Sequence, residues 1–249
     1  MCTVSFLPCK SGVIFSSCRD EDPQRARAYL PTIKQGRTGK LLFPADGHAG
    51  GSWLGMHERG HLIILLNGGF KNHVKKSSYG KSRGLIMLDL LDNNHPLAAW
   101  HSIELDNIEP FTLLLWQNGK PYELVWDGKH KHCALKNPFQ PHVWSSSTLY
   151  DDEAKQVREK WFDAWHQSVP VLSPQSLKQM LFKHNDPHNG FVMNRNEKVK
   201  TLSISLIRLN EKVFTLSYHD LHSNTITTVS MNIKKHHETF KHAAKDFVD

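Results

Sequence analysis

The 249-residue sequence has no run of apolar residues long enough to cross a bilayer. A transmembrane helix needs about 20 such residues, whereas the longest runs here, such as residues 62–66, have the length of a β-strand. The N-terminus also lacks the basic region and apolar stretch of a secretory signal peptide. We therefore expect a cytoplasmic protein without a transmembrane segment.

Cysteine is scarce, with four residues at positions 2, 9, 18 and 133. Their spacing matches neither a disulfide framework nor a set of zinc ligands, so we expect a reducing compartment and no metal. The segment from His57 to His61 has the letters of the His-Glu-x-x-His zinc motif. That motif needs a helix on which both imidazoles share a face. Gly60 and the strand-like flanks predict a turn instead.

Basic residues are spread along the chain, although the formal net charge is +7. Small clusters occur at 71–81, 129–131 and 234–245. No aromatic stacking motif interleaves with them, as a nucleic-acid surface would require. Scattered, solvated lysines explain the charge, which affects solubility more than it indicates a site. We expect no nucleic-acid partner, and the sequence leaves the oligomeric state open.

The sequence has no internal repeat or low-complexity segment, and its 39% hydrophobic content is sufficient for a packed core. We expect a single domain over residues 1–249. Strand-like hairpins near both ends, with helices between them, predict an α+β fold with a layered sheet core. The predicted helices cover 82–91, 151–167, 173–183 and the polar tail 236–249. Residues 22–38 are predicted to be an irregular crossover.

The first 21 residues combine a thiol with three charged side chains. β-rich runs on either side of residues 8–12 predict a hairpin, in which Cys2 lies across from the residues around Ser17. A solvated turn after a strand would explain the charged residues without catalysis. Those charged residues are Arg19, Asp20 and Glu21.

Cys2 directly follows the initiator Met1. Cysteine is small enough for routine removal of a preceding methionine, which would leave Cys2 with a free α-amine. One residue would then supply both the thiolate that attacks and the amine that takes the proton. These residues alone predict a possible nucleophile, and their context must decide whether it is used.

Several motifs in this sequence together resemble the NRDE (Transport and Golgi organisation protein 2-like) family, named for an Asn-Arg-Asp-Glu tetrad. The matching segments are Met1-Cys2-Thr3, residues 17–21, 50–55 and 65–67, and Ser145 to Leu149, which is similar to a Ser-Asn-x-x-Leu pattern before a helix. Linked motifs in the right order are more specific than any one of them. The resemblance is densest over 1–70 and 142–162.

This resemblance implies an N-terminal nucleophile hydrolase fold, an αββα four-layer sandwich whose hydrolytic relatives include penicillin and bile-salt amidases. Cys2 would be the nucleophile, and its own α-amine the base. Arg19 would hold the thiolate or a substrate carboxylate, while Asp20 would orient the amine. The expected activity is cleavage of the carbon–nitrogen bond of a small-molecule or peptide-like amide, without a cofactor.

Two positions depart from the family pattern: Cys18 replaces the first asparagine of the tetrad, and Ser146 stands where asparagine is commoner. The amidases use an asparagine from this later region as an oxyanion donor. Losing one such donor typically lowers kcat by about 10²–10³. We therefore consider Ser146, together with Asn67, Trp53 and Glu21, as oxyanion or substrate-binding residues.

A non-enzymatic function is the main alternative. The resemblance suggests a carrier or chaperone for an apolar ligand, since haem or lipid handling has been proposed for eukaryotic relatives. The 17 histidines and Cys2 offer possible axial haem ligands, although no haem-attachment Cys-x-x-Cys-His is present and surface positions explain most histidines. A vestigial site in an interaction module is a third possibility.

Overall fold

The computed structural model describes residues 2–234, with side chains from residue 3 onwards, so the helix expected at 236–249 lies outside the described residues. Its strands form two antiparallel sheets, numbered here in chain order. The first has the order β10-β1-β2-β12-β13-β14, and β11 pairs with β12. Its strands are β1 (Cys2–Cys9), β2 (Gly12–Glu21), β10 (His142–Ser145), β11 (Asn194–Arg195), β12 (Val199–Leu209), β13 (Val213–Asp220) and β14 (Thr225–Asn232).

The second sheet runs in simple chain order from β3 to β9. Each of its strands therefore pairs with its neighbour in sequence, as successive hairpins do. Its strands are β3 (Tyr29–Gln35), β4 (Lys40–Ala45), β5 (Leu54–His57), β6 (Leu62–Asn67), β7 (Phe111–Gln117), β8 (Lys120–Trp126) and β9 (Lys131–Leu135). The helices of the described chain are α1 (Arg83–Leu91), α2 (Pro96–Ser102), α3 (Asp152–Ser168) and α4 (Pro174–Lys183).

Three hydrophobic clusters separate four layers. The central cluster, which includes Phe6 and Leu114, lies between the two sheets. A second cluster joins α1 and α2 to the outer face of the second sheet. A third joins α3 and α4 to the outer face of the first sheet, around Ile14 and Leu206. The predicted αββα sandwich is confirmed, and no helix among the described residues is long and apolar enough to span a membrane.

The three internal helices predicted from apolar spacing are confirmed, and their starts have physical causes. The side chains of Ser82, Asp151 and Ser173 accept hydrogen bonds from the first turns of α1, α3 and α4. Such caps satisfy amide groups that have no partner within the helix. The residues from His57 to His61 form the predicted turn between β5 and β6 rather than a helix.

One prediction about the N-terminal third was wrong, and the structure sharpens another. The crossover expected at 22–38 contains β3, an edge strand whose exposed residues concealed its pairing with β4. Cys2 lies opposite Arg19, and Ser17 lies opposite Val4. The predicted hairpin is confirmed, with its turn at Lys10 and Ser11, since Cys9 pairs with Gly12. The charged group therefore begins directly across from Cys2.

Candidate active site

Three adjacent strands bring several of the sequence motifs together around residue 2. On one side, the backbone of Cys2 pairs with Arg19 in β2. On the other side, Thr3 pairs with Ser145 in β10, so Ser146 follows one residue beyond the last pair. Neighbouring strands lie about 4.8 Å apart. The register thus places residue 2 between Arg19 and Ser146, although 127 positions separate those two in sequence.

Arg19 is a buried cation with an aromatic and an acidic contact. Its side chain is 6% exposed, and Nη2 donates to Oδ2 of Asp46 at 2.7 Å. The guanidinium carbon lies 4.4 Å from the centroid of the Trp53 ring. A guanidinium over an indole gains cation–π attraction, which strengthens when water is excluded. Asp46 and Trp53 therefore fix Arg19 on the face of the sheet that looks toward the second sheet.

Asp46 also organises its own turn. It accepts two hydrogen bonds from Arg25, at 2.9 and 3.0 Å, and its Oδ1 accepts from the amides of His48 and Ala49. Burial opposes ionisation of this carboxyl, but the bonds from Arg25 and Ala49 and the arginine charges prevail, lowering its pKa to about 2. Asp46 is consequently a carboxylate at neutral pH. Sequence reasoning missed it, although Asp46 begins a segment with three glycines at 46–51.

A cavity of about 150 Å³ opens beside Arg19. The predicted residues Glu21, Trp53 and Asn67 line it, as does the start of α1 at Ser82. Gly51 also lines the cavity, and only glycine fits at this position, because a Cβ there would lie 2.7 Å from the backbone carbonyl carbon of Gly84 in α1. The Trp53 indole N–H is buried and has no hydrogen-bond partner among the described residues.

Ser146 and Asn67 contact each other through the Asn67 backbone. The Ser146 hydroxyl donates to the Asn67 carbonyl oxygen at 2.7 Å and lies 3.0 Å from the Thr148 hydroxyl. The Ser146 proton is therefore engaged. Asn67 lines the cavity, and its carboxamide has no hydrogen-bond partner among residues 3–234. Of these two side chains, that of Asn67 has donors left uncommitted within the described residues, while the Ser146 hydroxyl does not.

Asp20 lies on the opposite face of β2 from Arg19, because successive strand residues alternate. It is fully buried and accepts hydrogen bonds from Thr201 at 2.7 Å and from Tyr150 at 3.0 Å. Burial raises the pKa of this carboxyl, and the Thr201 bond and the Arg158 charge only partly counteract it. Burial also raises the pKa of Tyr150, whose hydroxyl remains a donor. Asp20 can therefore approach main-chain atoms near residue 2 but not a side chain on the Arg19 face.

Arg158 in α3 braces this opposite face. It is fully buried and stacks 4.0 Å from the centroid of the Tyr150 ring. Its donors reach the Ser145 hydroxyl, the hydroxyl of Thr3 and two backbone carbonyls. The helix thereby holds β10 and β1 together beside residue 2. Sequence reasoning missed Arg158, although it lies one turn from Ala154 and from Phe162 on the buried face of α3.

The described residues contain no group of three or more histidine, cysteine, aspartate or glutamate side chains arranged to hold a metal ion. The site residues predicted from the sequence do not all share one cavity. Arg19, Trp53, Glu21 and Asn67 share one cavity. Asp20 faces the α3–α4 layer, and Ser146 bridges toward Asn67 from β10.

Two sheets packed face to face between helical layers, with residue 2 at the start of a central strand, define the fold of the N-terminal nucleophile hydrolases. Solved structures of this class superpose on the chain. The C2A variant of conjugated bile acid hydrolase from Clostridium perfringens is 11% identical, with a TM-score of 0.50, covering 95% of this chain and 97% of that one. The Caenorhabditis elegans orthologue of N-acylethanolamine-hydrolysing acid amidase is 11% identical, with a TM-score of 0.56, covering 83% and 92%.

The chain belongs to the Transport and Golgi organisation 2 family, whose model matches residues 1–242. This match confirms the family predicted from the motifs. No curated protein is significantly similar to the chain in sequence. At 11% identity, the two solved structures show a shared fold.

Proposed function

We propose that the protein is a cysteine amidohydrolase that acts on a small amide after removal of Met1. The observation that carries this proposal is the register that sets residue 2 between Arg19 and Ser146, beside a cavity with a buried guanidinium. The fold neighbours are named for hydrolysis of a conjugated bile acid and of N-acylethanolamines. Both names describe hydrolytic enzymes, which supports the same class of reaction here.

In the proposed reaction, the Cys2 thiol gives its proton to the neutral Cys2 α-amine, and the resulting thiolate attacks the amide carbonyl carbon. The tetrahedral oxyanion receives a hydrogen bond from the Asn67 carboxamide. The carbon–nitrogen bond then breaks, the amine product leaves with the proton, and a thioester remains on Cys2. Water hydrolyses the thioester to a carboxylic acid and restores the thiol.

Arg19 and Asp20 act from opposite faces of the first sheet. Arg19 favours the thiolate or binds a substrate carboxylate, since a nearby cation stabilises the charged form of a thiol. Asp20 orients the α-amine, which belongs to the main chain and is not confined to the Arg19 face. The cavity of about 150 Å³ is small, so it suits a compact polar part of the substrate.

The first test is the state of the N-terminus. Intact-mass measurement should show loss of Met1, and alkylation by iodoacetamide should mark the N-terminal peptide at Cys2. A mature protein that retains Met1 would refute the free-amine mechanism. A panel of small amides should be hydrolysed by the native protein and not by Cys2→Ala, whereas Cys133→Ala, altered at an exposed thiol, should retain full turnover.

The carrier alternative remains a prediction of the family resemblance. Titration of the purified protein with haemin tests it directly. A Soret shift at micromolar protein that is lost in Cys2→Ala would support haem binding at residue 2. An unchanged Soret band would contradict specific haem binding.

A further inference from the structure

A larger cavity lies at the other end of the first hairpin from Arg19. Its volume is about 480 Å³, and it surrounds the turn between β1 and β2. At about 3.3 Å per strand residue, Gly12 is roughly 20 Å from Arg19 along β2. Its apolar walls include Pro8, Val13, Trp116, Pro138, Phe139 and Leu209. This cavity is therefore separate from the site around residue 2.

The size and lining of this cavity are those of a small-molecule site. Such sites generally enclose about 300–1,000 Å³ and combine apolar walls with a few polar groups. Trp116 forms part of the apolar wall and is 6% exposed. The polar groups are the charged side chains at the rim.

The rim of the cavity carries charge that is not neutralised by ion pairs. Lys10 and Lys212 line it and are exposed, and neither amine forms an ion pair within the described part of the chain. Glu211, also on the rim, is the opposing charge. The two lysines leave the rim with a net positive charge of one. An apolar interior with a cationic rim complements a molecule with an apolar body and an anionic group.

We propose that this cavity binds a small amphipathic organic anion. Its apolar body packs against Val13, Leu209 and Trp116, and its anionic group lies near Lys10 and Lys212. Binding here requires no chemistry at Cys2, because the two cavities are at opposite ends of the same strands.

Two probes that share one apolar skeleton test the proposal. 1-Anilinonaphthalene-8-sulfonate carries the anion, and N-phenyl-1-naphthylamine lacks it. Fluorescence titration should show micromolar binding of both to the native protein. The double variant Lys10→Glu/Lys212→Glu should weaken sulfonate binding by about tenfold or more, since each exposed charge contact contributes up to ~1 kcal/mol. Binding of the neutral probe should remain within about twofold of native, and Lys129→Glu should alter neither.

A matched pair of cysteine variants locates the site. Cys9 lines the cavity, whereas Cys133 is exposed on β9. Cys9→Phe should fill the cavity and abolish binding of both probes, while Cys133→Phe should bind like the native protein, with folding checked by circular dichroism. Equal sulfonate affinity in the native and charge-reversed proteins would overturn the proposal. Unchanged binding in a folded Cys9→Phe protein would overturn it equally.

Discussion

Asp46 holds Arg19 in place, with Nη2 and Oδ2 only 2.7 Å apart, although the two residues are 27 positions apart in sequence. The same carboxylate receives a two-pronged contact from Arg25 and closes the turn that follows β4. The cation beside residue 2 is thus anchored by the second sheet. Movement between the sheets at this point would move Arg19 as well.

Replacing Asp46 should destabilise the protein at neutral pH. Asp46→Asn leaves the buried Arg19 guanidinium without its anion, which should cost about 1–3 kcal/mol in the free energy of unfolding. Because the folded-state pKa is lowered to about 2, the carboxylate stabilises the fold at neutral pH. This contribution is lost as pH falls from about 4 through about 2.

Urea unfolding at several pH values measures this effect. Asp89→Asn is the control, since Asp89 pairs with Lys81 at the surface and should change stability by less than about 0.5 kcal/mol. A difference between native and Asp46→Asn proteins that persisted below pH 2 would contradict the ionic explanation.

Asn67→Ala should lower kcat for an amide that the native protein hydrolyses by about 10²–10³, because an oxyanion donor is removed. The substitution retains the backbone carbonyl that accepts from Ser146. Ser146→Ala is the matched variant: it removes that hydrogen bond without removing the carboxamide, and it should have the smaller effect on kcat. The opposite ranking in steady-state kinetics would assign the donor to Ser146.

Asp20 should make the native protein less stable, relative to Asp20→Asn, as pH rises above about 4. Its pKa in the folded state is raised above the ordinary value of 3.8. As pH rises from about 4, Asp20 therefore ionises in the unfolded chain before it ionises in the folded protein, and this favours unfolding. Thermal melting at a series of pH values should show the native melting temperature falling relative to the variant. Asp152→Asn, at an 86% exposed side chain, should show no such trend, and a pH-independent difference for Asp20→Asn would refute the prediction.

Arg158→Leu should cost on the order of 3 kcal/mol or more in the free energy of unfolding, because several buried acceptors would lose their donor. Lys160→Leu on the same helix changes an exposed cation and should stay within about 0.5 kcal/mol of native. Urea unfolding compares them. Similar stabilities would mean that water replaces the arginine, and that Arg158 does not brace β1 and β10.

Local patterns in the sequence were sufficient for the elements whose causes are local. The apolar spacing and caps of α1, α3 and α4 predicted those helices, because helix starts depend on nearby residues. The edge strand β3 was not predicted, because nearly all of its residues are exposed and the sequence does not show the alternation of polar and apolar residues that indicates a strand. The motifs also indicated the family and the four-layer fold before any contact was known.

The sequence by itself determined that Cys2, Arg19 and Asp20 meet at the start of β1, since a hairpin is encoded over a short stretch of chain. Only the tertiary structure decided on which face of the sheet each side chain lies and what it contacts. Strand alternation set Arg19 and Asp20 on opposite faces, and the packing of two sheets brought Asp46 to Arg19. These contacts depend on the exact register and on how the sheets pack, and a two-residue shift in pairing is enough to change the partner of Cys2.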